Sequence, residues 1–328
     1  MSTLKDIALK ANVAVSTVSY ALNHPEKISK SVRDSIYEIA KELGYFKKKR
    51  TKDYITAGVI VEDFIAFFSQ GYYGPVLCGV MDRLKKHGFL IKIIDYDVED
   101  YILQSIDYCF CIGKTPTEVV EKIKSFNLPV MLVGHPDYHV ECSSIMSDGK
   151  SGSIQAMDYL VMSGHKSIAY IATEIDALDL VESAKHEGFR YSIERHNLDF
   201  KPEWKINCDC HTPNYISIVV EQIKRLIGEI TAVYCPSDCI AMPLLRELKA
   251  NNIKCPEEMS LVGFDGITLP YYAEPMKPVL TTVGVDKIEL GKKAVDKLVE
   301  EVNIGNQMVH RYNFPVSLFI GETVSLKV

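Results

Sequence analysis

Residues 15–23 read Val15-Ser16-Thr17-Val18-Ser19-Tyr20-Ala21-Leu22-Asn23, a run of mostly small side chains that decides the fold of the N-terminal segment. Its apolar members recur at helical spacing, so one face turns inward and the hydroxyl groups face outward. A first apolar stripe precedes it, and the turn Asn12-Val13-Ala14, with Val13 as a buried plug, joins the two. The pattern predicts a helix-turn-helix, whose second helix fits the major groove of B-DNA.

The same segment predicts a third helix and its boundaries. Thr3 is placed to cap the first helix, and His24-Pro25-Glu26 stops the second. Ser29 or Ser31 caps the third, which Gly44 closes. The inward-facing residues of this predicted all-α domain, residues 1–46, are Leu4, Ile7, Ala8, Ala11, Val18, Ala21, Leu22, Val32, Ile36, Ile39, Ala40 and Leu43.

Charge is distributed unevenly along the chain. Residues 1–52 hold 11 Lys and Arg against 5 Asp and Glu, a net of +6, whereas the whole chain is −6 and the remainder therefore −12. A basic head on an acidic body is typical of a DNA-binding module attached to a part that does not bind DNA.

Length and composition limit the class of protein. At 328 residues the chain exceeds one ordinary domain, and its 47% hydrophobic content is that of a globular protein. We find no apolar run of membrane-spanning length and no apolar signal-peptide core, which predicts a cytoplasmic protein without a membrane partner. The nine cysteines repeat no CxxC spacing, so we expect free thiols and neither metal nor cofactor.

The body alternates short apolar runs with amphipathic helical stretches such as Gly79–His87 and Thr117–Phe126, a pattern that predicts parallel sheets of βαβ units. Two such series indicate two lobes: lobe 1 from about 56–159 and 285–314, lobe 2 from about 160–284 and 315–328. Open sheets of this kind bind ligands beyond the carboxyl ends of their strands, so a cleft between the lobes is the natural pocket. The predicted strands are Ala57–Val61, Leu90–Ile94, Tyr108–Ile112, Val130–Val133, Ser144–Ser147, Ile168–Ala172, Ala232–Cys235 and Ser260–Phe264.

The segment TLKDIALKANVAVSTVSYALNHPEKISKSVRDSIYEIAKELGY, residues 3–45, resembles the head of the lactose/galactose repressor family of bacterial transcription regulators. The likeness continues through AGVIVEDF, SDGKSGSIQAMDYLVMSGHKSIAYIA, PSDCIAMPLLRELKANNIKCPEEMSLVGFDG and LTTV. It implies an all-α helix-turn-helix DNA-binding domain preceding an α/β core of two Rossmann-like lobes, of the periplasmic-binding-protein type I fold. In that fold the chain crosses between the lobes three times.

The resemblance also implies which head residues contact DNA. Family members read bases with the start of the recognition helix and an Arg near its end, and those positions here are Val15, Ser16 and Tyr20. Without the Arg, no guanine edge is gripped bidentately, so we expect an operator outside the usual consensus. Leu4 matches a position near the bases, with packing of the first helix as its alternative. The positions that touch phosphates in the family are Thr3, Thr17, Ser19, Asn23, Ser29 and Tyr45.

The linker departs furthest from the family pattern. Family members continue through a hinge helix whose Leu wedges into the minor groove. Here residues 47–55 form a short basic linker that is about five residues shorter and lacks the Leu, with Phe46 as a weak substitute. We expect salt-sensitive phosphate contacts from Lys47, Lys48, Lys49 and Arg50.

The resemblance places ligand-binding residues at strand ends in the cleft. Asp148 and Asp265 match acids that accept hydroxyl hydrogen bonds from a sugar, and capping of the helix that follows is the alternative for either residue. Ser237 stands where the family has Asn before Asp238, and Lys185 where it commonly has Arg. Gly266, Cys210 and His211 also depart from the pattern. Phe64 and Tyr72 offer rings for stacking at the lobe 1 entrance, whereas core packing or a dimer face is favoured for Phe67 and Phe68.

These features predict a homodimeric transcriptional repressor that binds a near-palindromic operator and a sugar or sugar-derivative effector. We find no P-loop, GxSxG or HExxH motif, so no enzyme is expected, and His165 is interpreted as a structural turn residue. Two alternatives stay open: a sugar-binding module without DNA function and a sugar-acting enzyme on the same core. Loss of effector control is a further alternative, and no residue supports a phosphoprotein corepressor.

Overall fold

The computed structural model describes residues 3–23, 27–43, 54–61, 71–137, 139–173, 180–267, 279–305 and 308–327. Within these ranges the chain forms a small helical head followed by two α/β lobes. The order of elements confirms the predicted fold class.

The head consists of three helices, α1 Leu4–Ala11, α2 Val15–Asn23 and α3 Lys30–Glu42. Thr3 caps α1 as predicted: its backbone N–H donates to the Asp6 carboxylate at 2.7 Å, and its hydroxyl accepts from the Asp6 N–H. Asn12 adopts a left-handed conformation at φ 52°, which permits the tight turn before α2. The core of the head is formed by the buried side chains of Ile7, Ala8, Val18, Ala21, Leu22, Ile36, Tyr37 and Ala40, with Val13 partly buried at its edge.

Lobe 1 is built on a six-stranded sheet in the order β11-β5-β4-β3-β1-β2, with every neighbouring pair parallel. Its strands are β1 Thr56–Val61, β2 Leu90–Ile94, β3 Tyr108–Ile112, β4 Val130–Val133, β5 Ser143–Ser147 and β11 Arg311–Phe314. Its helices are α4 Tyr73–Lys86, α5 Asp100–Leu103, α6 Thr117–Ser125 and α11 Lys287–Ile304.

Lobe 2 has a second six-stranded sheet in the order β12-β10-β9-β8-β6-β7, in which only the β10–β12 pair is antiparallel. Its strands are β6 Ile168–Thr173, β7 Lys205–Cys208, β8 Ala232–Tyr234, β9 Ser260–Asp265, β10 Thr281–Gly284 and β12 Ser317–Phe319. Its helices are α7 Gly149–Met162, α8 Leu180–Arg195, α9 Tyr215–Arg225 and α10 Asp238–Ala250.

The chain passes between the lobes after β5, after β10 and between β11 and β12. Helix α7 packs on α8 and on the strands of lobe 2, so the first crossing lies at Asp148. The boundary predicted near residues 159–160 is therefore corrected, because the whole of α7 packs on the strands of lobe 2.

Glycine allows the closest helix packing in lobe 1, between α4 and α11. A Cβ on Gly79 would lie 2.0 Å from the Ile288 carbonyl oxygen, and one on Gly291 would lie 2.2 Å from the Val76 carbonyl oxygen. The two helices therefore meet backbone to backbone, which fixes the start of α11 beside the cleft.

Candidate functional site

Helix α2 presents an open polar face on the head. Val18, Ala21 and Leu22 are buried in the head core, whereas Val15 is 41% exposed and Tyr20 48% exposed. Ser16 is exposed as well, and Thr17 and Ser19 are half-buried. The three predicted base-reading residues, Val15, Ser16 and Tyr20, are thus all exposed on α2.

The remaining predicted DNA contacts divide into two groups. Thr3 and Ser29 are exposed, each directly before a helix, whereas Leu4 is half-buried and packs on the head core as its alternative proposed. The side chain of Asn23 lies outside the described residues. So do Tyr45, Phe46 and the basic residues Lys47, Lys48, Lys49 and Arg50.

The cleft side of lobe 2 contains an ion pair at the end of β9. Lys185 of α8 is 2% exposed, and its ammonium donates to the Asp265 carboxylate at 3.2 Å and to the Pro236 carbonyl at 2.8 Å. The Ser237 hydroxyl donates to the other Asp265 oxygen at 3.0 Å. The same ammonium lies 4.4 Å from the centre of the Phe264 ring, which stabilises its charge by a cation–π interaction. Asp265 itself has φ 101°, a conformation rare for a residue with a side chain.

Asp238 lies behind this pair and is 1% exposed. Its carboxylate accepts from the Thr282 hydroxyl at 2.8 Å and from the Ile267 N–H at 2.9 Å. Burial, together with the neighbouring charge of Asp265, raises the pKa of Asp238 to about 7. A Cβ on Gly263 would lie 2.1 Å from this carboxylate, so the strand must carry glycine at that position.

Lobe 1 contributes Tyr72, which precedes α4, and Lys287, the first residue of α11. Burial and the charge of Asp265 raise the pKa of Tyr72 to about 12, against a hydrogen bond from Ser147. Lys287 is 2% exposed and donates to the Gly266 carbonyl of lobe 2 at 2.9 Å. Its ammonium lies 5.4 Å from the Tyr72 ring centre, and burial lowers its pKa. This lysine therefore joins the two lobes.

The structure places the other predicted cleft residues as follows. Asp148 caps α7 by accepting from the Ser151 N–H at 2.9 Å, which matches its alternative reading. Cys210 lies beside Cys208, with their sulfur atoms 3.8 Å apart, and the His211 N–H donates to Asp209. Phe64, Phe67 and Phe68 lie outside the described residues.

His165 is structural, as expected. It is fully buried, and its ring nitrogens contact the Thr231 hydroxyl at 2.8 Å and the Ser325 carbonyl at 3.1 Å. One ring nitrogen therefore contacts Thr231 just before β8, and the other holds the C-terminal segment on lobe 2.

Sequence reasoning missed Lys287 and Thr282. Thr282 is the third residue of the LTTV match, residues 280–283, and Lys287 follows Asp286, the cap of α11. A lysine in the first turn of a helix that begins at a lobe crossing was the available signal.

The described ranges contain neither a membrane-spanning helix nor a metal-binding cluster. No helix in them is long and apolar enough to cross a membrane. No group of three or more His, Cys, Asp or Glu residues in them is arranged to hold a metal ion.

Comparison with protein-family models connects the head and the cleft. A model described as bacterial regulatory proteins, lacI family, matches residues 3–47. A model of the periplasmic binding protein-like domain matches residues 157–324, more than half of the chain. The chain belongs to the lactose/galactose repressor family. It is thus a DNA-binding regulator of transcription, and its core resembles the periplasmic binding proteins.

Individual members of the lacI family resemble the chain along nearly its whole length. It is 28% identical to the HTH-type transcriptional repressor CytR of Escherichia coli strain K12, over 92% of this chain and 90% of that protein. It is 24% identical to the repressor PurR of Aliivibrio salmonicida, over 92% of each. A solved complex of the transcriptional regulator CelR with cellobiose shares the fold with a TM-score of 0.69 at 22% identity, covering 98% of this chain and 100% of that one.

Proposed function

We propose that this protein is a homodimeric repressor that binds a near-palindromic operator and changes its affinity when a sugar or sugar derivative occupies the interlobe cleft. The observation that carries the proposal is the Lys185–Asp265–Ser237 network, which lies at the carboxyl ends of the lobe 2 strands in a chain with an open helix-turn-helix face. A regulator needs both parts, one to find DNA and one to sense a small molecule.

The chemistry of the cleft supports a polyhydroxyl effector. Asp265 keeps lone pairs beyond those used by Lys185 and Ser237, so it can accept from neighbouring hydroxyls of one ligand. Tyr72 supplies a ring on the opposite lobe. The regulator CelR was solved with cellobiose, and a regulator of Enterococcus faecium was solved with ribose, both on the fold of this chain. Asp148 and Asp238 are proposed to position this site rather than to be its main contacts.

The head is proposed to read DNA through two kinds of contact. Val15, Ser16 and Tyr20 face the bases. Sequence-independent contacts come from the basic linker and from a set of polar residues around α2, namely Thr3, Thr17, Ser19, Asn23, Ser29 and Tyr45. Because no Arg takes part on α2, we expect discrimination through van der Waals contact and single hydrogen bonds.

Dimer formation is proposed from symmetry and from a solved relative. A lac repressor dimer bound to operator and an anti-inducer shares the fold at a TM-score of 0.64 and 18% identity, over 99% of each chain. Two heads related by a twofold axis read two half-sites of a palindrome. The effector acts only through the difference between its affinities for the two head arrangements.

Operator selection from random duplexes, followed by fluorescence anisotropy, tests the proposal. We expect an enriched near-palindrome, and about a tenfold weaker complex for Tyr20→Ala. Tyr191→Ala is the matched control, since Tyr191 is 46% exposed on lobe 2. A panel of sugars should change operator affinity, and Asp265→Asn should abolish that response while keeping DNA binding. Binding of one chain per operator at half-saturation would contradict the dimer mechanism.

A further inference from the structure

An acidic segment follows β2 at the surface of lobe 1. Asp95, Asp97, Glu99 and Asp100 fall within six residues, and the last two stand at the start of α5. We name Glu99, Asp100 and Tyr101 the acidic platform. It belongs to the body of the chain, whose net charge opposes that of the basic head.

One head residue lies directly on this platform. The Arg33 guanidinium of α3 donates to the Glu99 carboxylate at 2.7 Å and lies 4.9 Å from the centre of the Tyr101 ring. Tyr101 also packs against the hydrophobic core of the head. The Arg33 side chain is 11% exposed, although it projects from a surface helix. A guanidinium that donates to a carboxylate and also lies over an aromatic ring is held in a defined position by two different interactions.

The platform is anchored to lobe 1 from its other side. The Lys122 ammonium of α6 lies 3.2 Å from the Asp100 carboxylate and donates to the Val98 carbonyl. Arg33 also has Asp34 of its own helix nearby, whose carboxylate lies 3.5 Å from the guanidinium Nε. The contact therefore connects α3 with α5 and, through Lys122, with α6.

The contact leaves the DNA-reading face open. Val15 and Tyr20 of α2 keep their exposure while Arg33 is engaged, because Arg33 projects from a different helix. The platform thus orients the head without covering it. The linker of this chain lacks the length and the Leu of the family's hinge helix. The Arg33 contact is a second connection between the head and lobe 1.

We propose that the acidic platform is a docking surface for the head of this same chain, held through Arg33, so that the head moves as a body with lobe 1. Docking itself is independent of the proposed function. Its consequence rests on that function: when the lobes close around an effector, the movement of lobe 1 is transmitted through α5 and α3 and changes the position of the head on the operator.

Amide line widths in ¹⁵N spectra of the full-length protein test the docking without DNA or effector. A docked head tumbles with the whole protein, of at least 36.9 kDa, and gives broad signals, whereas a released head reorients independently and gives sharp ones. Glu99→Arg places like charges together and should shift the equilibrium toward release by about tenfold. The head sequence is unchanged in this variant, so a folding defect of the head is not at issue.

Two further variants complete the test. Arg33→Glu combined with Glu99→Arg restores opposite charges and should broaden the head signals again. Glu229→Arg is the matched control: Glu229 pairs with Lys201 at 2.9 Å on lobe 2, and its side chain is 47% exposed against 45% for Glu99. Sharp head signals in the unaltered protein, or equal signals in Glu99→Arg and the control, would overturn the docking. Docking that persists while no operator is found would refute the proposed function alone.

Discussion

The head and the cleft use polar residues in opposite ways. On α2 the Ser16 hydroxyl and the Tyr20 phenol lie at the surface above a small apolar core, and we propose that they contribute to DNA recognition more than to folding. In the cleft, Lys185, Asp238 and Lys287 are each no more than 2% exposed, and their charges are compensated inside the protein. Cleft substitutions should therefore change stability and function together, whereas head-surface substitutions should separate the two.

The sharpest test of this contrast is Phe264→Ala. Phe264 is 1% exposed, supports the Lys185 ammonium and contacts the backbone at Gly152. Its removal should cost about 3–5 kcal/mol of stability. Tyr20→Ala on the head surface should stay within about 0.5 kcal/mol. Urea denaturation followed by circular dichroism measures both, and equal losses would remove the distinction.

A second test removes one partner of the cleft ion pair. Lys185→Met leaves the Asp265 carboxylate with the Ser237 hydroxyl and should destabilise lobe 2 by about 2–3 kcal/mol. Adding Asp265→Asn should recover part of that loss, because the uncompensated charge disappears. A double-mutant cycle from thermal unfolding gives the coupling, and strict additivity would show that the pair contributes nothing.

A third test uses pH. Because the pKa of Asp238 rises from 3.8 to about 7 in the folded chain, the folded state binds this proton more tightly than the unfolded state. The stability it contributes is full below pH 4 and is lost as the pH rises to about 7, at up to about 1.4 kcal/mol per unit. Asp238→Asn should flatten the slope in that window. An unchanged difference between the two proteins from pH 4 to 7 would contradict it.

The smallest expected effect lies within the head. The Tyr37 hydroxyl donates to the Ala21 carbonyl at 2.8 Å, which fixes α3 against the end of α2. Tyr37→Phe should lower head stability by about 1 kcal/mol. Hydrogen exchange of α2 amides is the measurement, with Tyr54→Phe at an exposed position as control. Unaltered exchange would mean that the apolar core alone holds α2.

The sequence predicts the interior strands well because a parallel strand covered on both faces is apolar along its length. The edge strand β2 is predicted from its apolar residues, although three of its five residues are exposed. Leu90–Ile94, Tyr108–Ile112 and Val130–Val133 coincide with the observed strands, and the others agree to within one residue at each end. The edge strands β7, β11 and β12 were not predicted, because exposed residues alternate in them with buried or half-buried ones. The short strand β10 was not predicted either, although it is buried between β9 and β12. The first lobe crossing was misplaced because the apolar stripe of α7 does not reveal which sheet it covers.

Only some of the cleft residues could be predicted from the sequence. Strand-end acids such as Asp265 follow from topology, since carboxyl ends of parallel strands meet at one edge. Thr282 meets Asp238 within lobe 2, across 44 residues of chain, whereas Lys287 meets Gly266 only once the chain has crossed between the lobes. Contacts across such a crossing depend on the packing of α4 against α11, which no local pattern encodes.

The left-handed backbone of Asp265 has a practical consequence for engineering. A side chain held at φ 101° costs about 1–3 kcal/mol, which glycine would recover. In Asp265→Gly alone this gain competes with the loss of the carboxylate that pairs with buried Lys185, whereas Asp265→Gly combined with Lys185→Met removes both the strained backbone and the buried charge. Selection for thermal tolerance should therefore favour the double substitution, which also removes the proposed effector contact, so libraries built on this scaffold need a regulatory readout at every round.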